Sequence, residues 1–154
     1  ETGGGVKKAL PLLGTEPFFH INSDSLWSER GASNISAMAA AWAAGRMDML
    51  LLLAKRESSV GFDGAGDFFR DEAGRLGRRG QAASAPYVYA GVAIIKPELF
   101  ADTPDGPFSL NLLFDRCIAS GTLFGHELDG RWLHVGTPEA IPLAEQAYAT
   151  HQSG

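Results

Sequence analysis

At 154 residues the chain is long enough for one domain with a hydrophobic core and too short for two well-developed ones. Its 45% hydrophobic and 20% charged residues are typical of a globular protein, and its formal net charge of −5 argues against nucleic-acid binding, which needs an excess of Lys and Arg. No window approaches the roughly 18 unbroken apolar residues of a membrane span, and the single cysteine, Cys117, excludes an internal disulfide. We therefore expect a soluble, cytoplasmic protein that binds neither nucleic acid nor a membrane.

The first half of the chain predicts alternating helices and strands. Apolar residues at helical spacing indicate a helix over residues 6–13. The apolar run 18–21 predicts a strand buried on both faces. Ser33 fits the N-cap of an amphipathic helix that stops at Gly45, and residues 49–53 predict an interior strand. A strand, a helix and a strand in this order indicate a parallel βαβ unit with a right-handed crossover.

The middle of the chain predicts a hairpin and a long strand. Residues 67–79 contain two short polar segments around a turn, which indicates a hairpin outside the main sheet. The β-branched and aromatic residues 87–95 predict a strand, and Ser109 fits the cap of a helix with one apolar stripe that places Cys117 in the core.

The last part predicts a second hairpin and a final helix. Asp129 and Gly130 are typical of a two-residue turn between strands at residues 123–128 and 131–135. Thr137 and Pro138 fit the start of the final helix. The whole pattern predicts an α/β fold with a mostly parallel mixed sheet, flanking helices and a projecting hairpin.

A candidate ligand site follows the strand 18–21. Asn22, Ser23 and Asp24 emerge at its carboxyl end, where ligands bind in open α/β sheets. One carboxylate at that edge suits Mg²⁺, which fills its other positions with water and substrate phosphates. The same three residue types are also ordinary in loops, so a turn or capping role for Asp24 is the alternative.

Glycines and one histidine supply further candidates. Three glycines at residues 3–5 run into the first helix, where backbone without Cβ atoms allows a ligand to approach closely, although the spacing is not that of a P-loop. Gly91 marks either a β-bulge or a contact between ligand and backbone. His134 alternates with apolar neighbours and fits a hydrogen-bonded structural residue better than a ligand. The arginines of residues 75–79 fit a solvated hairpin face better than a phosphate site.

The order of these segments resembles that of the sugar-1-phosphate nucleotidyltransferases, in particular the N-acetylmuramate-1-phosphate uridylyltransferases and the mannose-1-phosphate guanylyltransferase-like proteins. The blocks that carry the resemblance cover almost the whole chain: ETGGGVKKALPLLG, PFFHINSDSLW, GDFFRDEAGRLGRR, YVYAGVAIIKPELF, FSLNLLFDRCIASGTLFG and RWLHVGTPEAI. The resemblance implies one Rossmann-like nucleotidyltransferase domain over residues 1–154.

The resemblance also implies a reaction and a set of site residues. A sugar 1-phosphate attacks the α-phosphorus of a nucleoside triphosphate, with UTP preferred and Mg²⁺ as cofactor, and gives a nucleotide sugar and pyrophosphate. Asp24 would be the catalytic metal ligand, and His134 stands where a second ligand is common. The implied nucleotide contacts are Glu1, Thr2, Gly3, Gly4 and Asn22. The implied sugar contacts are Gly66, Asp67, Tyr89 and Gly91.

Three departures from the family pattern limit what the chain alone is expected to do. The glycine-rich segment with the catalytic arginine and lysine would precede residue 1, so we expect this C-terminal two thirds of the fold to be inactive by itself. The Glu-Lys-Pro motif is missing between Arg79 and Tyr87. The imidazole of His134 is a poor ligand for Mg²⁺. A catalytically silent nucleotide-sugar-binding or regulatory subunit is therefore one alternative, and a generic α/β domain whose glycines serve turns is another.

Overall fold

The structure, a computed structural model, describes residues 1–152. In chain order its elements are α1 (Thr2–Leu13), β1 (Phe18–Ile21), β2 (Ser25–Glu29), α2 (Asn34–Ala41), β3 (Met49–Lys55), β4 (Phe68–Arg70), β5 (Leu76–Arg78), β6 (Tyr87–Ile95), α3 (Asn111–Ser120), β7 (Leu123–Glu127), β8 (Gly130–His134) and α4 (Ala140–Gln152). Within these residues, none of the helices has the length and hydrophobicity that a bilayer span requires.

Strand β6 organises the main sheet, whose order is β5-β4-β6-β3-β7, with β1 also paired to β6. β1 and β3 both pair antiparallel with residues 93–95 of β6, so they lie on opposite sides of it and run parallel to each other. β3 pairs parallel with β7, and β4 pairs antiparallel with β5 and β6. The predicted mixed sheet with flanking helices is confirmed.

The prediction that this sheet is mostly parallel needs a correction. Four of the six strands, β1, β3, β4 and β7, point in one direction, but β6 runs the opposite way between them. Most neighbouring pairs are therefore antiparallel, and the connection from β1 to β3 crosses over β6. Strand β1 is also not buried on both faces: among the described residues it pairs with β6 alone, and Phe19 and Ile21 are 38% and 51% exposed.

The predicted hairpin of residues 67–79 forms, but it extends the main sheet instead of lying outside it. β4 and β5 pair with each other, and Phe68 of β4 pairs with Tyr87 of β6. Phe68 and Leu76 are buried in the core, which fixes the hairpin to the sheet. The segment was predicted to lie outside the sheet because most of its residues are polar. The two buried apolar residues, Phe68 and Leu76, attach it to the sheet instead.

The predicted hairpin around Asp129 and Gly130 is wrong. β7 pairs with β3 in the main sheet, whereas β8 pairs antiparallel with β2, a strand that the sequence pattern did not predict, in a separate two-stranded sheet. The chain changes sheets at Asp129, where buried Asn34 donates its Nδ2 to the Asp129 carbonyl (2.9 Å) and accepts the Asp129 N–H at Oδ1 (2.8 Å).

Helix α2 begins directly after its predicted cap, whereas α1 begins at Thr2, before the predicted helix of residues 6–13, and the core lies on both faces of β3. Ser33 caps α2 by accepting the N–H of Ser36 at 3.3 Å, although the helix ends at Ala41, before Gly45. Every residue of β3 except Lys55 is buried. Its alternate side chains pack with α3 on one face of the sheet and with α2 on the other.

Candidate functional site

A cavity of about 300 Å³ opens between the turn after β1, the hairpin, β6, the start of α3 and β8. Two groups of polar side chains lie on its wall. We call the first group the turn end: Asn22, Asp24 and His134. We call the second group the hairpin end: Asp67, Arg78 and Tyr89. Thr2, at the start of α1, also lines the cavity.

Pairing of β2 with β8 brings Asp24 and His134 together. Ser25 lies opposite His134 in this ladder, and the Val135 N–H donates to the Asp24 carbonyl at 3.1 Å. A Cβ atom built on Gly136 would lie 2.7 Å from His134 Nε2 and 3.5 Å from Asp24 Oδ2. The imidazole and the carboxylate therefore flank one point, which glycine leaves open.

The donor set at the turn end fits Mg²⁺ through Asp24 and fits it poorly through His134. Mg²⁺ takes one or two carboxylates and completes its octahedron with water and phosphate oxygens, whereas imidazole suits softer metals. Within residues 1–152 there is no group of three or more His, Cys, Asp and Glu side chains that could hold a metal ion. A magnesium ion here would therefore need its other ligands from substrate and solvent.

Gly91 contacts the turn of Asn22 and Ser25 but does not line the cavity. It has a φ of 84° where the register between β3 and β6 shifts, so it occupies an irregularity of the β-bulge kind. Its carbonyl accepts the Asn22 N–H at 2.8 Å, and a Cβ atom there would lie 2.4 Å from Ser25 Oγ. The bulge alternative from the sequence is thus what the structure contains, and glycine allows the Asn22–Ser25 turn to pack on β6.

At the hairpin end, Asp67 is fixed by strand β6. Its Oδ2 accepts the N–H of Tyr89 at 2.9 Å, and its own N–H donates to the Tyr87 carbonyl at 2.8 Å. Gly66 precedes it with a φ of 90°, and a Cβ atom there would lie 2.1 Å from the Ala85 carbonyl oxygen. Gly66 does not line the cavity, so its contribution to the site is the close approach that positions Asp67.

Buried polar atoms without partners are concentrated at this cavity. Among the described residues, four buried side-chain atoms lack a hydrogen bond, and three of them belong to cavity-lining residues: Tyr89 OH, Trp132 Nε1 and His134 Nδ1. Burial raises the pKa of Tyr89, so the phenol keeps its proton and can donate it in a hydrogen bond. Because buried polar groups are nearly always paired, this concentration is typical of a site that binds a polar ligand or ordered water.

The N-terminal glycines pack against protein instead of facing the cavity. A Cβ atom would lie 2.5 Å from the Phe108 ring at Gly3 and 2.8 Å from the Gly106 carbonyl oxygen at Gly4. Both glycines are buried and outside the cavity wall, and Glu1 is also outside it. Of residues 1–4, Thr2 alone lines the cavity, so the close packing of α1 on the loop before α3 explains the two glycines.

Comparison with known proteins gives a relative over almost the whole chain. The chain is 47% identical to the N-acetylmuramate alpha-1-phosphate uridylyltransferase of Caulobacter vibrioides over 149 residues, which are 97% of this chain and 62% of that protein. The resemblance to the sugar-1-phosphate nucleotidyltransferases is confirmed. No family model matches the chain.

Solved nucleotidyltransferases share the fold. The UTP-bound UGPase from Acinetobacter baumannii superposes with a TM-score of 0.73 at 14% identity over 96% of this chain and 56% of that chain. The inositol-1-phosphate CTP transferase from T. maritima superposes with a TM-score of 0.64 at 18% identity over 92% of this chain and 60% of that chain. The chain therefore has the nucleotidyltransferase fold and spans less than two thirds of the length of these proteins.

The cavity is also lined by polar residues that the sequence did not indicate as site residues. Arg78, Ser109 and Asn111 line it at the hairpin end, and Ser25 lines it at the turn end. Arg78 belongs to the stretch interpreted as a solvated hairpin face, and its Cα partner in the ladder is Phe68, directly after Asp67. Knowing that register would have placed Arg78 beside the site, but strands of three residues carry no clear alternation from which to read it.

Proposed function

We propose that the full-length protein transfers a uridylyl group from UTP to a sugar 1-phosphate, with N-acetylmuramate 1-phosphate as the first candidate, and releases pyrophosphate. The observation that supports the proposal most directly is that Asn22, Asp24, Asp67 and Tyr89 line the same cavity. The chain that forms this cavity is 47% identical to a uridylyltransferase of this specificity. We further propose that the protein works in the cytoplasm.

In this reaction an oxygen of the sugar phosphate attacks the α-phosphorus of UTP. One P–O bond forms, the bond between the α-phosphorus and the bridging oxygen breaks, and pyrophosphate leaves with the electron pair. Catalysis then depends mainly on positioning and on neutralising phosphate charge. A Mg²⁺ ion bound by Asp24 would supply much of that neutralisation.

The remaining residues have positioning roles in the proposal. Thr2 and Asn22 are the cavity residues assigned to the nucleotide, while Glu1, Gly3 and Gly4 would act through the shape of α1. The hydroxyl of Tyr89, which has no partner among the described residues, would donate a hydrogen bond to the sugar. Asp67 would hold the Tyr89 backbone in place. His134 would orient a phosphate or a metal-bound water by a hydrogen bond, since hard Mg²⁺ prefers oxygen ligands.

The test measures pyrophosphate release by the full-length protein. UTP and GTP would each be paired with the 1-phosphates of N-acetylmuramate, mannose and glucose, with and without EDTA. We expect the fastest release with UTP and N-acetylmuramate 1-phosphate, and none when EDTA removes the metal. Release with GTP and mannose 1-phosphate alone would replace the assigned substrates. The absence of release with every pair would favour the catalytically silent binding or regulatory subunit.

A further inference from the structure

Arg78 is the one lysine or arginine among the residues that line the cavity within residues 1–152. Two carboxylates, Asp24 and Asp67, line the same cavity. In the proposed reaction Asp24 binds Mg²⁺ at the phosphates, and Asp67 holds the backbone of Tyr89 in β6. The guanidinium of Arg78 has no role in it.

The Arg78 guanidinium is held in a fixed position. Its Nε donates to Asp115 Oδ1 at 2.8 Å, and its Nη2 donates to Asn111 Oδ1 at 2.9 Å. Its central carbon lies 5.2 Å from the centroid of the Phe68 ring and 5.7 Å from that of Phe114. Such bracing removes side-chain freedom before a ligand arrives, which lowers the entropic cost of binding.

One nitrogen of this braced guanidinium remains available. Among the described residues, Nη1 of Arg78 has no acceptor, while Nε and Nη2 are taken. The Arg78 side chain is 34% exposed, so it is partly shielded from water, and its partner Asp115 is 63% exposed on the solvent side. A ligand anion inside the cavity would therefore meet donors that are oriented and only partly solvated.

Neighbouring arginines of the same hairpin do not share this arrangement. Arg79 donates its Nε to the Gly66 carbonyl and its Nη1 to the Ala82 carbonyl. Arg75 donates its Nε to the Gly121 carbonyl and lies over the Phe124 ring at 5.3 Å. Neither of them lines the cavity. Of these three arginines, Arg78 is therefore the one whose braced guanidinium lies on the cavity wall.

Sheet geometry places Arg78 far from the turn end. Gly91 holds the turn, whereas Tyr87 of the same strand pairs with Phe68, which in turn pairs with Arg78. At about 3.3 Å per residue along a strand and about 4.8 Å between strands, the Cα atoms of Gly91 and Arg78 are on the order of 15 Å apart. A sugar phosphate whose phosphate lies at Asp24 would thus present a substituent of its sugar ring to Arg78.

We infer that Arg78 binds a carboxylate carried by the sugar of the substrate, at the hairpin end of the cavity. The inference rests on the proposed function and adds the residue that selects an acidic sugar. N-acetylmuramate carries such a carboxylate on its lactyl ether, and N-acetylglucosamine is the same sugar without it. Arg78 therefore distinguishes these two sugars, while Asp24 serves both.

The test compares Arg78→Gln with wild type in the full-length protein, using UTP and the 1-phosphates of N-acetylmuramate and N-acetylglucosamine. We expect KM for the acidic sugar to rise about 10- to 100-fold, as for the loss of a charged hydrogen bond. The kcat/KM for N-acetylglucosamine 1-phosphate and KM for UTP should stay within about threefold of wild type. Arg78→Lys keeps the charge without the planar fork and should give an intermediate loss.

Arg75→Gln is the matched control, because it removes an arginine from the same hairpin outside the cavity, and it should leave the ratio of kcat/KM for the two sugars unchanged. An equal rise of KM for both sugars would show that Arg78 contacts the phosphate and would overturn the carboxylate assignment. A fall in kcat with every substrate, together with a lower melting temperature, would make Arg78 a structural brace. An inactive wild-type protein would instead contradict the proposed function itself.

Discussion

The two ends of the cavity hold their polar groups in different ways. At the turn end Asp24 is exposed, and its carboxylate has no hydrogen-bond partner among the described residues. At the hairpin end Asp67 and Arg78 are bound by neighbouring groups, and the Tyr89 hydroxyl is buried. The solvent-exposed carboxylate at the turn end can bind a metal ion without breaking contacts within the protein. The fixed and partly buried groups at the hairpin end instead select a ligand by its shape.

This comparison separates two kinds of substitution. Loss of the Asp24 carboxylate at the turn end should remove activity while the fold stays stable, because this exposed side chain has no hydrogen-bond partner among the described residues. Changes at the hairpin end should alter substrate affinity, and some should alter stability as well.

Asp24→Asn should nearly abolish turnover in the full-length protein. The amide keeps the size of the side chain but loses the charge that would anchor Mg²⁺, so we expect transition-state stabilisation to fall by about 3 kcal/mol or more, which is at least a hundredfold in kcat. The melting temperature should remain that of wild type. Asp63→Asn, an exposed aspartate outside the cavity wall, is the control for the loss of one negative charge.

His134 flanks the same point as Asp24 and should matter much less. If it orients a phosphate or a water indirectly, His134→Ala should reduce kcat about tenfold, as for the loss of one hydrogen bond, and His134→Asp should keep or raise the activity by supplying an oxygen ligand. Should His134→Ala be as damaging as Asp24→Asn in a protein that folds normally, His134 would be a direct metal or phosphate ligand and our assignment would be wrong.

Gly91→Ala should affect the turn end through the backbone instead of through chemistry. Alanine is strained at a φ of 84°, and its Cβ would meet Ser25 Oγ, so we expect the free energy of unfolding to fall by about 2–4 kcal/mol. Urea denaturation measures this change.

Gly5→Ala is the control for Gly91→Ala. It adds a methyl group in helix α1 where no heavy atom lies within 4 Å, and it should stabilise the protein by about 0.5–1 kcal/mol. If both glycine variants unfolded at the wild-type urea concentration, Gly91 would not be needed to hold the turn.

The sequence predicted the parts of the fold that depend on local pattern. Strand β6 was predicted with its observed bounds, and residues 49–53 form most of β3, because continuous apolar residues mark a strand buried on both faces. Asp24, which the sequence indicated as a candidate because it lies in the turn after a predicted strand, lines the cavity. The insertion of β6 between β1 and β3 was not predictable, since the inserted strand comes later in the chain than both of its neighbours.

Much of the candidate site depends on pairings that no local pattern determines. Strand β2 meets β8 more than 100 residues later, as in the bond from Arg131 N–H to Ser28 Oγ, and that pairing alone puts His134 beside Asp24. Likewise, the register of β5 on β4 turns Arg78 to the cavity. The sequence indicated that the glycines allow a close approach to the backbone, but it did not tell whether a ligand or the protein makes that approach. The atoms that approach Gly3, Gly4, Gly66 and Gly91 belong to the protein.

Tyr89→Phe should separate affinity from stability at the hairpin end. The phenyl ring would keep the edge-on contact with Phe114, whose ring centroid lies 5.3 Å away, and would remove a buried hydroxyl that has no partner. We expect the protein to become more stable by up to about 1 kcal/mol, and KM for the sugar 1-phosphate to rise about tenfold because the variant lacks the proposed hydrogen bond to the sugar. Greater stability with an unchanged KM would remove Tyr89 from the sugar site.

The smallest effect concerns His20, on the strand that leads to the turn end. Burial lowers the pKa of His20 below its ordinary value of 6.5, and its Nδ1 has no partner among the described residues. Because the unfolded chain then binds a proton more readily than the folded one, this residue should destabilise the fold as pH falls below about 6.5 and have no effect above it. His20→Gln should make urea denaturation midpoints less dependent on pH between about 5 and 7. Some dependence should remain, since burial and Arg70 also lower the pKa of His126. An unchanged pH dependence in the variant would mean that His20 binds a proton equally well in the folded and the unfolded chain.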